Sequence, residues 1–237
     1  MALGIVLILL ASGFVQGLTG FGFGMLAMSL LPLLIDVKLA SVLVSLLSTV
    51  NNFFVLWSVR DSLSFRRIYP LLIGAAFGIP VGVYLLKALD AVLIKRGLGA
   101  VLILFSSYSL LKRGEAGIKI GRVWALPAGV VSGVLNGLIN MGGPPVIIYT
   151  YHKGWDKRSV KAALTLYFTV MSLYKIPVLA GMGLVTWRAV KLMLLLIPII
   201  FAGALIGFTL FERVNRETMR RITYSLLLGL GITLLFR

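Results

Sequence analysis

Gly20-Phe21-Gly22-Phe23-Gly24 and Asn140-Met141-Gly142-Gly143-Pro144-Pro145 interrupt two long apolar stretches of the chain, and their starts lie 120 residues apart. At membrane depth, glycine and proline free backbone N–H and C=O groups that hydrocarbon cannot satisfy, so such breaks persist where they face protein or a wet cavity. Two breaks at matched positions point to one shared site.

The match extends beyond the breaks. At the same offset Ser12-Gly13, Gln16-Gly17-Leu18, Gly22 and Asp36 fall on Ser132-Gly133, Asn136-Gly137-Leu138, Gly142 and Asp156, and at an offset of 125 Gly78 and Gly82 fall on Gly203 and Gly207. The spacing predicts a duplicated chain, with repeat one at 1–114, a linker at 115–122 and repeat two at 123–237. Composition sets the medium. Of 237 residues, 59% are hydrophobic and 13% charged, with a mean hydropathy of +1.04, well outside the soluble range. Apolar segments run over 3–35, 40–59, 68–86, 91–111, 123–151, 162–184, 189–211 and 218–236, most of them near the roughly 20 residues that span a bilayer. The first has no basic stretch before it and reads as a retained membrane segment, not a signal peptide. The 23 Lys and Arg against seven Asp and Glu sit mostly in short loops, as topology signals do, and do not indicate nucleic acid. With no cysteine, disulfides and thiolate metal sites are excluded.

As continuous helices, 3–35 and 123–151 would run roughly 50 and 44 Å at about 1.5 Å per residue, too long for one crossing. Taken as single crossings, they divide the loop bases almost evenly between the two sides. Folded back as hairpins, they gather about twice as many on one side as on the other, which the positive-inside rule favours. The expected fold is therefore an all-α polytopic membrane protein of two inverted repeats. Each repeat holds one broken re-entrant hairpin and three transmembrane helices, and both termini lie outside. Two tilted, kinked single crossings are the alternative. Inverted repeats with discontinuous helices are a recurrent secondary-transporter design, with the site at the repeat interface.

The candidate binding residues cluster at the breaks. Gly142 and Gly143 allow close backbone approach, and Pro144 with Pro145 suits a first helical turn, so a helix starts there and its unpaired N–H groups offer an anion site. Thr19, Gly20 and Gly22 can do the same from repeat one. The competing reading is that these glycines only permit tight helix packing. Gln16, Asn136 and Asn140 place amides beside the breaks, as hydrogen-bond donors to a substrate oxygen or as ordinary interhelical bonds. Asn51 and Asn52, mid-segment, are costly unless they face the bundle interior or water. Lys175, the one base read as lying well inside an apolar segment, either faces an anion or snorkels to the interface. His152 reads as interfacial.

All seven acids lie in or beside loops, which leaves no intramembrane carboxylate for a cation site or a carboxylate proton relay. No phosphate-binding G-x-x-x-x-G-K-[ST] loop, H-E-x-x-H or G-x-S-x-G motif is present, and neither an ATP-driven pump nor an enzyme is indicated. No cofactor or metal is expected. The partners are a small anion, the lipid bilayer and, left open, further copies of the chain.

Gly17-Leu18-Thr19-Gly20-Phe21-Gly22 and Gly137-Leu138-Ile139-Asn140-Met141-Gly142-Gly143-Pro144-Pro145 resemble the paired signatures of the TauE/SafE family, the sulfite and organosulfonate exporter-like permeases. The length, the duplicated apolar layout and the basic loop at 153–161 are also similar. The resemblance implies a bacterial or archaeal inner-membrane permease for small anions, typically sulfite, sulfoacetate or related sulfonates. The expected function is thus a secondary transporter for such an anion, working by alternating access at a midplane site between the hairpins. A permease or channel for another anion, or a non-transporting membrane scaffold subunit, are the alternatives.

Overall fold

The computed structural model describes residues 2–111, 121–151, 153, 155–210, 228 and 232. Among the described residues every regular element is helical: α1 (Ala2–Thr19), α2 (Phe23–Leu30) continued by a 3-10 turn (Leu31–Leu33), α3 (Val37–Ser58), α4 (Phe65–Ala88), α5 (Ala91–Leu111), α6 (Ala125–Ile139), α7 (Gly143–Tyr151), α8 (Lys157–Gly181) and α9 (Trp187–Leu210). Seven of these are long and apolar enough to cross a membrane, α1 included and α6 together with the 3-10 turn Arg122–Trp124 that leads into it. Apart from residues 228 and 232, the apolar segment at 218–236 lies outside the described residues, as does His152.

Both segments that were too long for one crossing are broken in two, and the breaks fall where the backbone turns left-handed. Gly20 and Gly22 take φ of 80° and 99°, and Asn140 takes 56°. Asparagine is one of the few side chains that tolerate this region, so α6 ends there. The breaks are not central, since an arm of 18 residues precedes one of eight in the first segment and an arm of 15 precedes one of nine in the second.

Contacts at their ends show that both segments fold back. Gly4 lies against the Leu34 side chain, so the entry of α1 and the exit after α2 are neighbours. Arg122 stacks on Tyr69 and Arg67 on Trp155, which brings the entry of α6 and the exit of α7 to the same first turn of α4. The first segment instead leads into α3 at the other end of α4, where Lys38 Nζ donates to Lys87 O at 3.0 Å. The kinked single crossing is thereby replaced by a hairpin at both positions.

At the centre lie α3 and α8, 67% and 61% buried over their membrane windows, whereas no other span exceeds 44%. An aspartate opens each of them. Asp36 Oδ1 accepts from the N–H groups of Lys38 and Leu39 at 2.9 and 3.0 Å, and Asp156 Oδ2 from that of Ser159 at 3.0 Å, which satisfies donors that the first helical turn leaves orphaned. The side-chain bond with Ser159, followed by its N–H, holds the Asp156 carboxyl below the usual aspartate value.

The long arms pack between the two halves of the chain. Gly78 and Gly82 of α4 lie on the backbone of Val130 and Val134 in α6, while Gly203 and Gly207 of α9 lie on that of Leu10 and Phe14 in α1. These are the same contacts displaced by 125 and 120 residues. A side chain at any of the four would occupy the partner's backbone, so packing accounts for these glycines.

Candidate functional site

The hairpin tips meet. Gly24, in the first turn of α2, is so close to Asn140 that a Cβ would overlap its carbonyl oxygen, and Gly143 faces Met25. Around this meeting point lies a small cavity lined by Gln16, Phe21, Gly22, Phe23, Gly24, Met25, Ser48, Asn52, Asn136, Asn140, Gly143, Phe168 and Ser172. Both hairpins and both central helices therefore contribute to its wall.

Its polarity comes from two sources. No side chain caps the N-terminus of α2 at Gly22, and Gly22 to Met25, whose N–H groups a helix leaves without internal partners, all line the cavity. The positive end of the α2 dipole lies on the same side. The start of α7 is poorer in donors, because Pro144 and Pro145 remove two N–H groups from its first turn. The second source is a set of amides. Gln16 Nε2 donates to Asn52 Oδ1, and Asn52 Nδ2 donates to Ser172 Oγ at 3.1 Å, which leaves each amide nitrogen one further hydrogen. The Asn136 side chain forms no hydrogen bond among the described residues. Residues 52 and 172 are themselves separated by the repeat offset, so this bond joins equivalent positions of α3 and α8.

Each tip is latched to the central helix from the other half of the chain. Asn140 Nδ2 donates to Ser41 O and Oγ at 2.8 and 3.1 Å, and Asn140 Oδ1 accepts from Ser45 Oγ and Lys175 Nζ, both at 2.9 Å. Both amide hydrogens of Asn140 are thus used inside the protein, and its side chain holds the tip of hairpin two on α3 and α8. At the equivalent place in repeat one, Lys161 Nζ donates to Gly17 O at 2.9 Å and Thr165 Oγ1 to Gly20 O at 3.3 Å. Lys161 is only 3% exposed and lies within α8, so Lys175 is not the only base inside an apolar helix.

Of the residues singled out in the sequence, Gln16, Gly22, Asn52, Asn136, Asn140 and Gly143 line the cavity. Thr19, Gly20, Asn51, Gly142, Pro144 and Lys175 do not. Thr19 Oγ1 bonds Val15 O and Phe21 O and shapes the turn. Gly142 O is held by Ser132 Oγ, itself bonded by Tyr167 Oη. Asn51 is fully buried, with neither amide atom partnered among the described residues. Lys175 does not snorkel. It is 1% exposed, and its Nζ also donates to Asn136 O at 2.5 Å, directly behind the cavity wall. Met25, Ser48, Phe168 and Ser172 were missed, although Ser172 lies 120 residues from Asn52.

The family model for the sulfite exporter TauE/SafE matches residues 5–234. The chain belongs to the TauE/SafE family. Among its relatives is a probable sulfite/organosulfonate exporter TauE of Cupriavidus necator, 28% identical over 98% of this chain and 93% of that protein. Another is a probable inner membrane transporter protein TsaS of Comamonas testosteroni, 27% identical over 71% of each. No solved structure matches the chain. Membership in this family, with seven membrane-length helices, makes the chain a membrane transporter.

Proposed function

We propose that this protein is a secondary transporter of the cytoplasmic (inner) membrane for a small sulfur oxyanion, sulfite or an organosulfonate such as sulfoacetate. In this reading the two repeats are inverted, the cavity between the hairpin tips is the substrate site, and rocking of the repeats alternates its access. The observation that carries the reading is the uncapped N-terminus of α2 facing the same cavity as Gln16, Asn52 and Asn136. A helix N-terminus favours an anion by about 0.3–2 kcal/mol, and each hydrogen bond to a charged group adds roughly 1.5–3 kcal/mol. Two or three such bonds with the helix end sum to about 3–11 kcal/mol, and the cost of immobilising the anion, about 4 kcal/mol or more, reduces this to a modest affinity. That strength permits release as well as capture.

The sulfonate class comes from the relatives' names. The physical reading adds that the four acids among the described residues are all exposed, so none repels an anion from the wall. Flux of sulfite, sulfoacetate, isethionate, sulfate and a simple carboxylate into proteoliposomes tests the proposal. Saturable uptake with counterflow for one or two sulfur oxyanions is expected. Unsaturable flux without counterflow would make the protein a channel, and no movement of any anion by folded protein would overturn the reading.

A further inference from the structure

Lys175 lies deep in α8, where its bond to Asn140 Oδ1 in the latch needs a hydrogen but no charge. Its two acceptors, Asn136 O and Asn140 Oδ1, take up both hydrogens of an uncharged amine, whereas an ammonium has three to place. No carboxylate among the described residues compensates it. Asp36, Asp61, Asp90 and Asp156 are exposed at helix ends.

Among the described residues, the elements packed against α8 bring no other counter-charge. Lys38 on α3 and Lys87 on α4 lie at one end of the bundle, their amines on the carbonyls of Lys87 and Met182. Tyr84 on α4 is 61% exposed. Arg66, Arg67 and Tyr69 lie at the other end of α4, as do Arg60 and Asp61 in the turn before it. Tyr149 on α7 is in contact with Lys153. Within α8 itself, Tyr167 donates to Ser132 and Lys161 to Gly17, while Tyr174 is 40% exposed. α6, which supplies Asn136, carries no ionisable side chain.

A lone ammonium buried this deeply is strongly disfavoured. An anion in the cavity, against Asn136, would lie one residue away and supply the missing opposite charge. We propose that Lys175 takes up one proton when an anion occupies the cavity and returns it when the anion leaves, so that a proton accompanies each anion. The lone pair of Nζ accepts the proton from a hydronium ion entering with the anion, leaving water, and gives it back to water on release. This inference rests on the anion-site reading above and adds its coupling ion. By linkage, the anion then binds more tightly as pH falls.

Isethionate separates this device from titration of the substrate, because a sulfonate stays ionised throughout the usable pH range and cannot itself deliver the proton. Purified protein in weakly buffered detergent solution, with a pH indicator, should take up protons on addition of isethionate. The apparent Kd should rise by up to about tenfold per pH unit where the amine titrates. Lys175→Arg, permanently charged, should bind isethionate without proton uptake. Lys175→Met should bind weakly and lose the pH dependence.

Binding by the folded wild type without proton uptake and with a flat pH profile would overturn the coupling while leaving the anion site standing. Proton uptake by Lys175→Arg equal to that of the wild type would also overturn it. Failure of isethionate, methanesulfonate and sulfoacetate alike to bind folded wild type would remove the site reading, and this inference with it.

Discussion

Asn136 and Asn140 sit on the same cavity wall, and the partners of their amides assign them opposite work. Asn140 is committed to Ser41, Ser45 and Lys175, so Asn140→Ala strips a helix end of its left-handed residue and leaves buried groups unpaired, at about 1–3 kcal/mol for each such group. Its thermal midpoint should fall clearly. The Asn136 amide holds nothing within the described protein, so Asn136→Ala should shift the midpoint little while weakening sulfonate affinity about tenfold or more, the worth of one charge-assisted bond. Thermal unfolding and isothermal titration on the two variants check the contrast. Equal loss of stability in both would mean that Asn136 is structural. In the sequence the two residues look alike, since each is an amide beside a break. That one adopts φ of 56° and is latched to the other half of the chain depends on contacts with residues about 95 positions away. Local sequence does not encode those.

Among the elements, the glycine pairs of α4 on α6 and of α9 on α1 make the sharpest demand. Gly78→Leu and Gly203→Leu should each destabilise by about 1–3 kcal/mol or more through overpacking, because the side chain meets backbone instead of a movable side chain. Gly97→Leu, in open space, is the control and should unfold like the wild type. At the entry to α8 the Asp156 cap has a pH signature. Its carboxyl is held below the ordinary value, so its contribution is complete above the unfolded-state pKa and is lost as pH falls through the lowered folded value. Asp156→Asn, which caps without ionising, should remove that part of the acid dependence in unfolding followed from pH 6 to 3. An unchanged profile would dismiss the cap. Hairpins and breaks were legible because glycine and proline act locally, whereas the aspartate caps of α3 and α8 were not read from the sequence. The terminus with more free N–H groups, that of α2, was not either. Pro144 and Pro145 drew attention to α7, yet those same prolines lack the N–H groups that α2 presents.

For the whole molecule, the offset of 120 residues becomes a set of reciprocal contacts. The tip of hairpin one rests on Lys161 and Thr165 in α8, and the tip of hairpin two rests on Ser41 and Ser45 in α3. Applying the offset to Ser41 or to Asn52 would have identified Lys161 and Ser172. Instead, the basic run from Lys153 onward read as one loop, because a charge within a helix is indistinguishable from a loop charge in composition. If the paired tips form one site that opens to each side in turn, a group at the join of α3 and α8 must be reachable from both faces and never from both at once. The chain has no cysteine, so Ser172→Cys introduces a single thiol on the cavity wall in place of a hydroxyl of similar size. Labelling it with a membrane-impermeant thiol reagent, from each side of oriented vesicles with and without saturating isethionate, is the most direct test. The account predicts reaction from either side and protection by isethionate from both. Reaction from one side only, untouched by isethionate in vesicles that still transport it, would contradict it.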